Sequence, residues 1–259
     1  MIRNIKKYLR NKNLLNAEQI LKATEISNTI SGWLSDHYYE KVSIGENCNS
    51  SWYLKETGNK NASYPYDWIF SSGEILTHTI RDDFKSFLNK DLIFHRKKNK
   101  AGHSLYHSNL FNHRDPLNSD KDYSYYERSA TRFLNLLKNT DNYILFVCTV
   151  IQEKEKRLDW ANGFDRDFEL PTNQGLDSFT ETMELIQSIN KNVKFIFINQ
   201  ITEGKFNLEI DTMTSDVLWI NFSSEGANSG VKYRNALDDL IMKIIYKGMF
   251  QKNDLSNAG

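Results

Sequence analysis

Asn142-Tyr-Ile-Leu-Phe-Val-Cys-Thr-Val150 carries no charge and almost no polar residue. A strand with one face in water alternates apolar and polar side chains, whereas a strand buried on both faces does not. This stretch therefore predicts a central strand of a sheet covered on both sides. Val193-Lys-Phe-Ile-Phe-Ile198 and Val217-Leu-Trp-Ile-Asn-Phe222 repeat the pattern. Helical periodicity over 176–189 and 233–246 lies around them, with Leu237, Leu240, Ile241, Ile244 and Ile245 on one stripe of the last helix. Apolar strands alternating with helices define the α/β class, here a three-layer sandwich with a mostly parallel central sheet.

Working outward, residues 16–36 read as a helix with Asn16 as its cap and Ile20, Leu21, Ala23, Ile26, Ile30, Trp33 and Leu34 near a 3.6 period. A first strand over 38–44 ends at Gly45, and a helix over 49–56 is stopped by Gly58. Pro65 keeps Tyr64 out of the helical region, so 63–67 is a turn. Short helices run from there to about residue 89. Two β-like runs, 92–95 and 105–111, flank a basic connection ending in Gly102 and predict a hairpin. A helix follows over 123–137. The polar segment 153–175, carrying Trp160 and Phe164, is long enough to be a lid or binding loop. The expected organisation is an N-terminal helical extension over 1–40, one α/β domain over 41–250 with a hairpin insertion near 91–113, and a loose tail over 251–259.

Composition narrows the function classes. Of 259 residues, 39% are hydrophobic and 25% charged, with 33 basic and 33 acidic side chains. Zero net charge argues against nucleic acid or an anionic membrane as the main partner. No run is long and apolar enough to span a bilayer. Residues 1–10 have no apolar core of a secretory signal. They could form a basic amphipathic helix through Ile2, Ile5, Tyr8 and Leu9, either docked on the protein or in weak peripheral contact with a membrane. Two cysteines, Cys48 and Cys148, make neither a disulfide framework nor a metal pair, so a reducing, cytoplasmic setting is expected. No cofactor or metal is expected: there is no cysteine pair of metal-binding spacing, and His107 and His113 lack a third ligand.

The candidate chemistry centres on Lys41-Val-Ser-Ile-Gly-Glu-Asn-Cys48. In open α/β sheets ligands bind at the carboxyl ends of strands, and Cys48 follows such an end and opens a helix. Free N–H groups and the helix dipole favour a thiolate there, and the same amides could hold an oxyanion. The alternative is a small thiol filling space beneath a turn. Cys148 reads as core. A thiol nucleophile needs a base, and His113, beside Arg114 and Asp115, is the first choice; His107 is second, on a strand face shared with Asn109 and Phe111. Asp67, held among aromatics in Tyr64-Pro-Tyr-Asp-Trp68, orients that base, binds a substrate hydroxyl or bonds its own turn. Gly45, Glu46 and Asn47 line the turn and are candidate substrate-binding residues. Tyr64, Tyr66 and Trp68 could stack on a ligand. Arg128 and Arg132, one helical turn apart, suit a phosphate or a carboxylate, or simply form a solvated face.

Val42-Ser-Ile-Gly-x-x-Cys48, with Leu54 and then Ala62-Ser-Tyr-Pro-Tyr-Asp-Trp-Ile69, resembles a bacterial family labelled papain-like cysteine peptidases and often associated with surface-polysaccharide loci. The family's later segments are similar to Phe111-Asn-His-Arg-Asp115 and Tyr125-Tyr-Glu-Arg-Ser-Ala-Thr-Arg-Phe133, and the resemblance covers roughly residues 40–150. Tyr66 stands where the family usually has phenylalanine, and Arg114 is inserted before Asp115. The alternating second half is in turn similar to SGNH-type esterases and Rossmann-like sheets. The resemblance implies a cysteine-dependent hydrolase or acyl transferase acting on a cell-surface glycan or related small molecule. Two further readings stand beside it. One is a glycosyl- or phospho-transferase of surface-polysaccharide assembly using a nucleotide-activated donor, with Cys48 as a wall residue; the other is a non-catalytic binding subunit.

Overall fold

The computed structural model describes residues 14–97, 100–152 and 174–251. The expectations for residues 1–10, for the loop through Trp160 and Phe164 and for the tail beyond 252 lie outside the described residues. A five-stranded sheet has the order β1-β4-β5-β7-β6. Its strands are β1 (Glu40–Gly45), β4 (Ile144–Ile151), β5 (Val193–Ile201), β6 (Asn207–Met213) and β7 (Val217–Ser223). β1, β4, β5 and β7 are parallel, and β6 runs antiparallel along the edge.

All eight residues of β4 are buried, as the unbroken apolar run requires. Side chains alternate across a strand, so β4 feeds two cores. Ile144, Phe146, Cys148 and Val150 pack with α3 (Gly73–Arg81), α4 (Asp120–Lys138) and α5 (Thr180–Ile189). Leu145 and Val147 pack on the other side with α1 (Leu14–Trp33), α2 (Asn49–Glu56) and α6 (Ala236–Lys247). The result is a mixed α/β architecture with helices on both faces of a mostly parallel sheet. Each large apolar side chain closed off this way contributes about 1.5–3 kcal/mol of hydrophobic free energy. Among the described residues, no helix is long and apolar enough to cross a membrane.

Local chemistry explains the helix starts. Ser72 accepts from the Ile75 N–H, Ser119 from Asp122 and Asn235 from Leu237, each satisfying an otherwise orphaned donor. The N-cap of α2 is Cys48, and its side chain makes no capping bond.

Two elements differ from the sequence reading. The hairpin forms, but its strands are β2 (Ile93–Lys97) and β3 (Lys100–His103), not a return strand at 105–111. A Cβ on Gly102 would sit 2.3 Å from Phe94 Cζ and 2.7 Å from the Ser108 carbonyl oxygen, so the return strand needs glycine opposite Phe94. His107, Asn109 and Phe111 therefore do not share a strand face. Residues 104–111 fold back instead, and Phe111 meets Ala101 in an isolated bridge. The second difference is β6, which the sequence reading left without structure. Leu208 and Ile210 alternate with Glu209 and Asp211, the period-two signal of an edge strand.

Candidate active site

β1 carries the chain to Gly45, where φ is +105°, a conformation that favours glycine. A Cβ there would lie 1.7 Å from Ser71 Oγ, which donates to the Ile44 carbonyl at 2.9 Å. The Ser71 N–H donates to the Glu46 carbonyl at 3.0 Å, so the loop after Trp68 is fastened to the turn before Cys48. Glu46 is enclosed and accepts from the Ile151 N–H at 2.5 Å, tying the turn to the end of β4. Asn47 Oδ1 accepts from the Asn49 N–H at 3.0 Å, while its buried Nδ2 has no hydrogen-bond partner among the described residues.

This turn places the Cys48 Sγ 3.3 Å from His113 Nε2. The thiol is 5% exposed. Burial, reinforced by the Asp67 charge, pushes its pKa up to about 12, against its own backbone N–H and Lys60. The helix N-terminus alone would act the other way; removal from water outweighs it. His113 stands at the surface on the segment that leaves the hairpin. Crowding by the chain, then the like charges of Lys100 and Arg114, hold its pKa below the usual imidazole value. Because the residue is exposed, that desolvation is partial and water reaches the ring. Both shifts keep the proton on sulfur, so the pair rests as thiol and neutral imidazole.

The indole of Trp68 meets His113 edge-on, with centroids 6.1 Å apart. Behind it, Asp67 is buried and accepts from the Tyr64 N–H at 2.8 Å and from Lys60 Nζ at 2.6 Å. Burial raises the Asp67 pKa and lowers that of Lys60, each opposed by the partner's charge. Asp67 thus bonds its own turn and a lysine rather than the imidazole. Lys60 also donates to Ser51 and sits 5.6 Å from the Trp68 ring centroid. Neither Lys60 nor Ser51 was singled out from sequence. The usable signal was that a carboxylate flanked by aromatics needs a cation nearby once it is buried.

The other candidates are distributed around this centre. His107 is fully buried: its Nε2 donates to the Phe70 carbonyl at 3.3 Å and its Nδ1 accepts from the Asn109 N–H at 3.1 Å, so both ring nitrogens are engaged. Tyr66 is enclosed by Phe84 and Phe133, with its hydroxyl bonded to Thr79, which leaves no ring face for a ligand. Tyr64 is buried and donates its hydroxyl to Glu40 at 3.0 Å. Trp68 and Arg132 line a cleft of about 660 Å³ together with Lys55, Lys60, Asn61 and Ser63. Arg132 also borders a second cleft of about 830 Å³, which contains Arg128 and Glu127. Cys148 is wholly buried in mid-strand.

An α/β protein with a thiol–imidazole pair at the carboxyl end of a parallel strand is the class that fold and site define. Residues 39–112 match the model of the family described as "Putative papain-like cysteine peptidase (DUF1796)". The match takes in Cys48, Asp67 and His107 and stops one residue short of His113. No curated protein and no solved structure matches the chain.

Proposed function

We propose that the protein is a cysteine-dependent hydrolase or acyl transferase, with Cys48 as nucleophile and His113 as base. The observation that carries this reading is the 3.3 Å separation of Cys48 Sγ and His113 Nε2, within reach for direct proton transfer. The thiol proton passes to Nε2 as sulfur attacks the acyl carbon of an ester, thioester or amide. The carbonyl π electrons move to oxygen. The Cys48 backbone N–H, which already favours negative charge on its own sulfur, is a donor for that oxyanion. Collapse expels the leaving group, which takes the proton from His113, and a thioester remains on Cys48. Water or an acceptor hydroxyl then attacks the thioester, giving hydrolysis or transfer.

Because the resting pair is neutral, the thiolate forms as the bond forms. Asp67 acts at one remove: with Lys60 it fixes the Tyr64–Trp68 turn and so sets the indole against His113. An acylated glycan or related small molecule is the substrate class that the resemblance to a polysaccharide-associated family supports, and Trp68 supplies an aromatic wall beside the pair.

The test is intact-mass analysis after mixing with a small aryl thioester. An acyl adduct is expected on Cys48 and absent from Cys48→Ala, which should keep its circular dichroism spectrum. His113→Ala should slow acylation at least about 10²-fold. Equal, slow labelling of Cys48 and Cys148 would overturn the assignment.

A further inference from the structure

We infer that the cleft beside the Cys48–His113 pair binds a carboxylate or phosphate group of the acyl substrate through Lys55, Lys60 and Arg132. The word substrate rests on the function proposed above; the affinity for an anion does not. Three cations line this 660 Å³ cleft, and among the described residues no carboxylate lines it. The chain as a whole is neutral, so the excess is local and not a matter of composition. The neighbouring cleft differs in placing Glu127 beside Arg128.

The nearby acids are turned to other partners. Asp67, 1% exposed, lies behind Lys60 and neutralises it from the protein side. Glu40 accepts from Asn61 at 3.0 Å and from Tyr64 at 3.0 Å. Arg132 donates from Nη1 to the Ser63 carbonyl at 2.6 Å, the one hydrogen bond that positions it among the described residues. A guanidinium has five N–H donors in a planar fork, so Arg132 keeps capacity for a two-oxygen anion. Lys55, in the last turn of α2, is exposed at the rim. The volume is of the size that small-molecule sites occupy.

Position relates the cleft to the chemistry. Trp68 forms part of its wall and also meets His113 edge-on. The indole therefore connects the wall of the cleft to the imidazole of the pair. Held in the cleft, the anionic group orients the acyl group over the sulfur and balances the charges of Lys55 and Arg132, for which the described lining supplies no acid.

The experiment is calorimetric titration of the Cys48→Ser protein, in low salt, with inorganic phosphate and separately with succinate. Saturable binding of at least one anion is expected, and phosphate-only or succinate-only binding assigns the group. Lys55→Gln and Arg132→Gln should each weaken binding several-fold, and together at least tenfold. Lys55 is exposed, so its variant reports even if loss of the Arg132–Ser63 bond disturbs folding. No binding of either anion, or binding unchanged in the variants, overturns the inference. Iodoacetamide labelling of Cys48 in the unmutated chain reads the nucleophile separately, so the two proposals fail independently.

Discussion

At Cys48 two effects of one position oppose each other. The N-cap of a helix lowers a thiol pKa by about one to several units when the sulfur is in water. Here the sulfur is buried and the Asp67 carboxylate is near, and the pKa moves from 9.0 up to about 12. The folded value lies above the unfolded one, so the folded protein holds its proton more tightly. Stability from this group is present below about pH 9 and is lost as pH rises from about 9 towards about 12. Denaturant midpoints measured across that range should fall more steeply for the native chain than for Cys48→Ala. A native curve no steeper than that of the variant would show a preformed thiolate instead. The cysteine, the histidine and the carboxylate were all visible in the sequence as residue types. Their pairing was only half visible. Cys48 and His113 are 65 residues apart, and the fold-back of 104–111 that brings them together depends on Gly102 fitting over Phe94. The partner of Asp67 was hidden because Lys60 reads as an ordinary surface lysine until burial is known.

The element that fixes the site is the β1–α2 turn. Its glycine was legible because an apolar run stopped there, but the run does not reveal what makes glycine obligatory. The structure shows two reasons, the positive φ and the Ser71 hydroxyl standing where a Cβ would be. Gly45→Ala should therefore cost roughly 2–5 kcal/mol, combining backbone strain with overpacking. The double variant Gly45→Ala/Ser71→Gly separates them: removing the hydroxymethyl group relieves the clash and leaves the φ strain. Urea midpoints should recover in part. Full recovery would mean that the backbone strain is negligible, and no recovery that the clash is. The hairpin teaches the converse. Its existence followed from a polar, glycine-ended connection between β-like runs, yet its register was misplaced. The reading took Gly102 as the end of the turn, whereas it is a strand residue facing an aromatic ring.

On the scale of the whole molecule, the continuous strands were the most legible feature, because burial on both faces leaves no room for alternation. The edge strand β6 escaped because its exposed positions break the run and its pattern is short. Two cores back to back on one sheet have a consequence for stability. Ile144 on β4 packs into the core under α3–α5, and Ile196 on β5 into the core under α1, α2 and α6. Both are fully buried. Each Ile→Val change removes one methylene from a closed core and should cost about 0.5–1.5 kcal/mol. The two sites share no face of the sheet, so the double variant should lose the sum of the single effects to within about 0.5 kcal/mol. Both cores are built on the same strands, so unfolding should remain one transition by circular dichroism and tryptophan fluorescence. A near-zero effect at Ile196 would mean that the α1–α2–α6 layer is not closed on the sheet. Two resolved transitions would mean that the layers unfold separately. Either result would also undermine the site, because Cys48 sits at the N-cap of α2 in one layer and His113 follows the hairpin that packs with the other, and both layers have to stay fixed on the same sheet for sulfur and imidazole to remain in contact.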